Sequence, residues 1–83
     1  MDCARLHGWF AYHTFDSRRS EPGFPDCVFV RGERLIFVEL KAAGRKPTAA
    51  QEDWLAALRA ACGTVYVWTP ADWISGRIEA VLR

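Results

Sequence analysis

Two apolar runs, Asp26–Arg31 and Arg34–Lys41, flank the dipeptide Gly32-Glu33. Glycine at the first central position of a two-residue loop favours a type II′ turn, whose twist suits the strands it joins. This hairpin constrains the chain more than any other feature, because a two-residue turn fixes the register of both strands. Counting outward pairs Arg31 with Arg34, Val30 with Leu35, Phe29 with Ile36, Val28 with Phe37 and Cys27 with Val38, and so brings Asp26 opposite Glu39. Directly opposed residues share a face, with Cβ atoms about 4.5–5.5 Å apart. Alternation places Lys41 on the face of Glu39. Cys27, Phe29, Ile36, Val38 and Leu40 take the other face. Both faces are apolar around the charges, the pattern of strands covered on both sides.

The rest of the chain frames that hairpin. Residues 2–7 read as the tail of a helix ending at Gly8, too few to be stable alone. Trp9 to Phe15 is aromatic-rich and reads as a strand. Asp16 to Pro25 is a polar loop with two prolines and a glycine, and Ala42 to Pro47 is a basic loop. Thr48 opens a helix, with Gln51 at the third position of a capping box. Trp54, Leu55, Leu58, Ala61 and Cys62 give that helix an apolar face, and Gly63 stops it. Thr64 to Trp68 is a further strand. Thr69, Pro70 and Asp72 start a last helix, with Ile74, Ile78 and Val81 or Leu82 on its apolar face. The order β-β-β-α-β-α predicts a mixed α/β fold.

Size and composition narrow the function classes. Eighty-three residues make one domain spanning 1–83, and 51% hydrophobic residues with four Trp mark it as globular. So small a core leaves a thin margin of stability, for which dimerisation is one remedy. Net charge is +1, so any affinity for nucleic acid must come from a local patch. No run approaches the roughly 18 apolar residues of a membrane span, and Met1–His7 has no apolar leader core. The three cysteines show no CxxC spacing, which disfavours a disulfide framework or a zinc site and suits a reducing cytoplasm.

The opposed carboxylates carry the chemistry. Two acids facing each other in a sheet repel, and burying an unpaired charge costs several kcal/mol. A hard divalent cation resolves the conflict, since magnesium takes one or two carboxylates and leaves its other positions to water and phosphate. Phosphodiester hydrolysis follows, with Lys41 orienting the water or stabilising charge on the phosphorus oxygens. The same residues also fit an ordinary Glu39–Lys41 ion pair with Asp26 capping a strand, and a one-residue slip would separate the acids.

Gly23-Phe24-Pro25-Asp26 followed by Glu39-Leu40-Lys41 resembles the signature of the PD-(D/E)xK nucleases. Gly8-Trp9, His13-Thr14, Asp16-Ser17-Arg18-Arg19-Ser20, Gln51, Trp54-Leu55 and Tyr66-Val67-Trp68 extend the likeness, over nearly the whole chain, to its VRR-NUC family of virus-type replication and repair nucleases. The resemblance implies a restriction-endonuclease-like core, with a mixed central sheet flanked by helices. It implies Mg²⁺ or Mn²⁺ dependence and cleavage of DNA. Asp26, Glu39 and the carbonyl of Leu40 would bind metal, Lys41 would be catalytic, and Gln51 would lie at the site. Stand-alone members are viral or bacterial, and some cut branched DNA such as Holliday junctions as homodimers. The implied setting is therefore a bacterial or phage protein in the host cytoplasm.

One departure bears on activity. Family members carry an acidic residue on a helix well before the Gly-Trp, whereas Asp2 is the only acid among the seven residues ahead of Gly8. The N-terminal helix is read as truncated or as not included in this chain, and a swapped or intertwined dimer would cover sheet surface that its loss exposes. A competing class follows, a DNA-binding module that keeps the fold and has lost catalysis. A dimerising adaptor with a purely structural acidic pair is a third. Arg18, Arg19, Arg45 and Lys46 lie in loops beside the site and would grip the DNA backbone. His13, Trp9, Trp54, Trp68 and Trp73 read as structural, the tryptophans as core or interface.

Overall fold

The computed structural model describes residues 2–13, 22–61 and 63–83. The expectations placed on Arg18, Arg19 and the rest of 14–21, and on Cys62, lie outside those residues. The elements are α1 (Asp2–Leu6), β1 (Phe10–His13), β2 (Cys27–Arg31), β3 (Arg34–Leu40), α2 (Ala49–Ala61), β4 (Val65–Trp68), α3 (Pro70–Ile74) and α4 (Arg77–Leu82). They form a small α/β protein with a four-stranded mixed sheet in the order β1-β2-β3-β4. The first three strands run antiparallel, and β4 pairs parallel to β3 after the α2 connection.

The hairpin register is the one the turn dictates, from Arg31 opposite Arg34 to Cys27 opposite Val38. Gly32 has φ 58°, and among the described residues only glycines have positive φ, so Glu33 does not. One positive φ at the first central position is the type II′ arrangement. β2 and β3 each have a partner on both edges, and β3 carries the longest buried run. Ile36, Phe37, Val38 and Glu39 are all buried in succession.

The two sheet faces are covered unequally. On one, Cys27, Phe29, Ile36, Val38 and Trp68 pack with Ala4 of α1, Trp9 and Leu82 of α4. On the other, α2 lays Leu55 and Trp54 over the β3 side, with Phe24 edge-on to both Phe37 and Trp54. That second cover stops short of β1. Phe10 and Tyr12 stay in solvent, and Val30 and Leu35 are exposed beside Phe10. The expected covering of both faces is therefore met around Glu39 and not at the far edge.

Trp9 and Arg31 fasten the first face. The Trp9 indole N–H donates to the Leu82 carbonyl at 2.7 Å. Arg31 Nη1 donates to the carbonyls of His7 (2.9 Å) and Leu82 (3.0 Å), and Nη2 to that of Arg83 (2.7 Å). Its guanidinium lies 4.6 Å over the Trp9 ring, and that of Arg34 lies 4.8 Å from the same ring. One planar cation thus satisfies the last carbonyls of α4 and ties them to the α1–β1 turn, which is how a helix as short as α1 holds its place.

The last helix differs from expectation. Gly76 adopts φ 80° and divides it into α3 and α4, with Ser75 as the C-cap of the first. The break re-aims α3, so that Ile74, expected on the apolar face, is 83% exposed, while Leu82 is buried. Thr69 caps α3 with Pro70 at its start as expected, and its N–H donates to Asp72 Oδ2 at 2.8 Å, which makes the start a capping box.

Because a lysine cannot reproduce the planar fork of Arg31, Arg31→Lys is expected to lower unfolding free energy by about 1–2 kcal/mol. Urea denaturation of the two proteins checks this.

Candidate functional site

The stretch before β2 is built by close packing. Gly23 has φ 89°, and a Cβ there would lie 2.5 Å from the backbone C and O of Ala50 and 2.8 Å from the nitrogen of Gln51. Only glycine lets the first turn of α2 come so near. Phe24 then wedges between Phe37 and Trp54, with ring centroids 6.1 and 5.1 Å away, and Pro25 is buried. The chain emerges at Asp26, whose Oδ2 accepts the N–H of Leu40 at 2.8 Å. This bond carries the β2–β3 pairing past Cys27–Val38 and holds Asp26 beside the end of β3.

Among the described residues Glu39 is the one buried charged residue, with 2% exposure. Its Oε1 accepts from Gln51 Nε2 at 3.1 Å. Its Oε2 is buried and meets no N–H or hydroxyl donor, so only a proton shared with Asp26 can serve it. Asp26 stands near enough to share a proton with it. Burial, followed by the hydrogen bond to Asp26 and the charge of Asp26, pushes the Glu39 carboxyl up to about 8, while the charge of Lys41 opposes the rise. Two acids this close resist joint ionisation. The same burial, reinforced by Asp26, pushes the Cys27 thiol up to about 11, so this cysteine is no nucleophile at neutral pH.

Gln51 serves two masters. Its Oε1 accepts the Thr48 N–H at 2.8 Å while Thr48 Oγ1 accepts the Gln51 N–H at 3.2 Å, which completes the capping box. The cap occupies the amide oxygen and leaves the NH₂ aimed at Glu39. The capping and site readings of Gln51 hold together in one side chain.

Asp26, Glu39 and Gln51 are thus brought together, with Lys41 just past the end of β3 and near enough for its charge to act on Glu39. Leu40, expected to lend its carbonyl to a metal, meets Asp26 through its N–H. Lys41, Arg45, Lys46 and Thr48 line a concavity that runs on from the end of β3, with Arg45 and Lys46 exposed. Arg18 and Arg19 lie outside the described residues. His13 ends β1 half-buried, paired with Cys27. Sequence reading passed over Gly23 and Phe24 as positioning residues. Their signal was the position of Gly-Phe just ahead of Pro-Asp, but the approach of α2 that demands the glycine is made by a segment more than twenty residues downstream.

The donor set suits a hard divalent cation. Two carboxylates converge, one of them buried with an oxygen lacking a donor, and oxygen ligands of this kind are what magnesium and manganese take. Among the described residues no group of three or more His, Cys, Asp or Glu side chains gathers, so the pair would supply the protein's acidic ligands. Comparison with protein-family models, with curated proteins and with solved structures found no match for the chain.

Gly23→Ala is expected to cost about 2–4 kcal/mol, from the left-handed backbone and the clash with α2 together. Chemical denaturation reads the loss, and weaker coupling of Gln51 to Glu39 should accompany it.

The raised Glu39 carboxyl gives a second expectation. A group whose folded value lies above its unfolded one stabilises the protonated fold. Without metal, stability should therefore fall as pH rises from about 4.5 to about 8. Melting temperatures across that range check it, and Glu39→Gln should flatten this fall.

Proposed function

We propose that this chain is a Mg²⁺- or Mn²⁺-dependent endonuclease that hydrolyses DNA phosphodiester bonds, selective for branched DNA, on a restriction-endonuclease-like core. One observation carries the reading. Glu39 is buried against Asp26, and its Oε2 has no partner other than a proton shared with that acid, an arrangement that a divalent cation resolves and that fold stability alone does not favour. The resemblance of Gly23-Phe24-Pro25-Asp26 and Glu39-Leu40-Lys41 to the PD-(D/E)xK signature supplies the substrate class.

Asp26 and Glu39 would hold the cation. When bound, it supplies a Lewis acid for the phosphoryl oxygen and lowers the pKa of a coordinated water. Gln51 fixes the Glu39 carboxylate through Oε1 and leaves Oε2 for ligation. The Leu40 N–H fixes Asp26 through Oδ2. Lys41, whose charge is felt at Glu39, would hold the negative charge that builds on the phosphoryl oxygens as water attacks and the bond to the leaving sugar oxygen breaks. Arg45 and Lys46, in the same concavity as Lys41, would hold the flanking backbone phosphates.

A DNA-binding module without catalysis is the second reading. The absence of a third converging acid among the described residues favours it.

Labelled four-way junctions and linear duplexes incubated with Mg²⁺ or Mn²⁺ separate the two. The parent should cut the junction preferentially, and Glu39→Ala or Lys41→Ala should slow cleavage by about 10²–10³-fold. Parent-like cleavage by either variant would sink the proposed site. Salt-sensitive binding with no cleavage at any metal concentration would establish the module.

A further inference from the structure

The sheet face that carries Asp26 and Glu39 continues beyond α2 as a row of exposed aromatic rings. Phe10 is 81% exposed and Tyr12 63%. Phe10 pairs with Val30 and Tyr12 with Val28, so both lie on the face of Asp26, two residues before Val28. Residues two apart on a strand stand on one face about 6.8 Å from each other. Tyr12 is at the end of this row nearer the acids. By the register it is a diagonal neighbour of Asp26, a relation that places side chains within aromatic reach, roughly 7–8 Å.

Among the described residues nothing in the fold asks for these rings. They contribute little to the core, and they stand on an edge strand where apolar surface invites unwanted pairing. The concavity of Lys41, Arg45 and Lys46 begins at Leu40, the residue after Glu39, on the strand that lies two strands from β1. A ligand running from the rings, past the carboxylates, to the cations must offer flat apolar faces at one end and phosphates along its length. A single strand of nucleic acid does this, and stacking of successive bases on exposed aromatics is the usual mode of its recognition. A duplex does not, because its base faces are already stacked on one another.

We propose that Tyr12 and Phe10 form a stacking platform for unpaired bases of the strand whose phosphate meets Asp26 and Glu39. The preferred DNA is then a strand splayed out of a duplex at a branch or end. The inference rests on the nuclease reading for the place of the phosphate, while the platform itself requires only binding.

The test is fluorescence anisotropy with a labelled thymidine oligonucleotide and a blunt duplex of the same length, both in EDTA. The single strand should bind at least tenfold more tightly. Tyr12→Ala and Phe10→Ala should each weaken single-strand binding by about five- to a hundredfold and leave duplex binding within twofold, while Tyr12→Phe keeps the parent affinity. A strand carrying one 2-aminopurine reports stacking directly, and its emission should be quenched by the parent and by Tyr12→Phe but not by Tyr12→Ala. Both side chains are exposed, so melting temperatures of the variants should match the parent, and a drop in binding without a drop in melting temperature supports the platform.

Alanine variants that bind the single strand as the parent does would overturn the platform. So would alanine variants that turn a dimer into a monomer in sedimentation with single-strand affinity unchanged, because the row would then belong to a second copy of the chain. The two readings fail separately. Metal-dependent cleavage without a single-strand preference removes the platform and leaves the nuclease. Tyr12-dependent single-strand binding with no cleavage removes the nuclease and leaves the platform.

Discussion

Burial of the Glu39 carboxylate is the constraint around which this molecule is arranged. β3 has a strand on each side and covered faces above and below at this position, so the carboxylate is withdrawn from water. An ionised carboxylate there needs donors, and the fold supplies one on Oε1 from Gln51. Asp26 is set beside it, where it adds to the cost. A chain selected only for stability would place an apolar residue at the centre of its sheet. The polar arrangement is therefore a requirement that the surrounding packing has to support.

That support comes from both layers. On the far face, the cluster of Phe29, Ile36, Val38, Trp68 and Leu82, locked by Trp9 and Arg31, keeps β3 in position. On the near face, Gly23 lets α2 close onto the segment leading into β2, and Phe24 fills the gap between Phe37 and Trp54. The same close approach puts Gln51, in the first turn of α2, beside Glu39. Packing of an apolar residue and placement of a polar one are here a single event. The near face is left open beyond α2, which gives the proposed site an accessible flank without loosening its base.

Local signals were legible where a short stretch of chain settles them. The II′ turn at Gly32-Glu33 set the pairing of β2 with β3, and with it the shared face of Asp26 and Glu39. Thr48 and Gln51 revealed the start of α2 by a bond pattern three residues long. Thr69, Pro70 and Asp72 did the same for α3. The break in the last helix is not legible in this way, because Ile74, Ile78 and Leu82 keep helical spacing across Gly76, and periodicity does not register a left-handed residue that resets the helix axis. Covering of both sheet faces was also overextended, since an apolar strand pattern says that a face can be buried and not that a helix long enough to bury it exists.

The sequence by itself determined which residues could be opposed. Side-chain alternation and turn length are properties of neighbouring residues, and they placed two acids and a lysine on one face before any packing was known. The tertiary structure decided what those residues experience. The depth of Glu39, the second use of the Gln51 amide, the glycine that α2 demands at position 23 and the solvent exposure of Phe10 and Tyr12 all depend on contacts between segments far apart in the chain. Such contacts set the local dielectric and the hydrogen-bond inventory, and no count along the sequence reaches them.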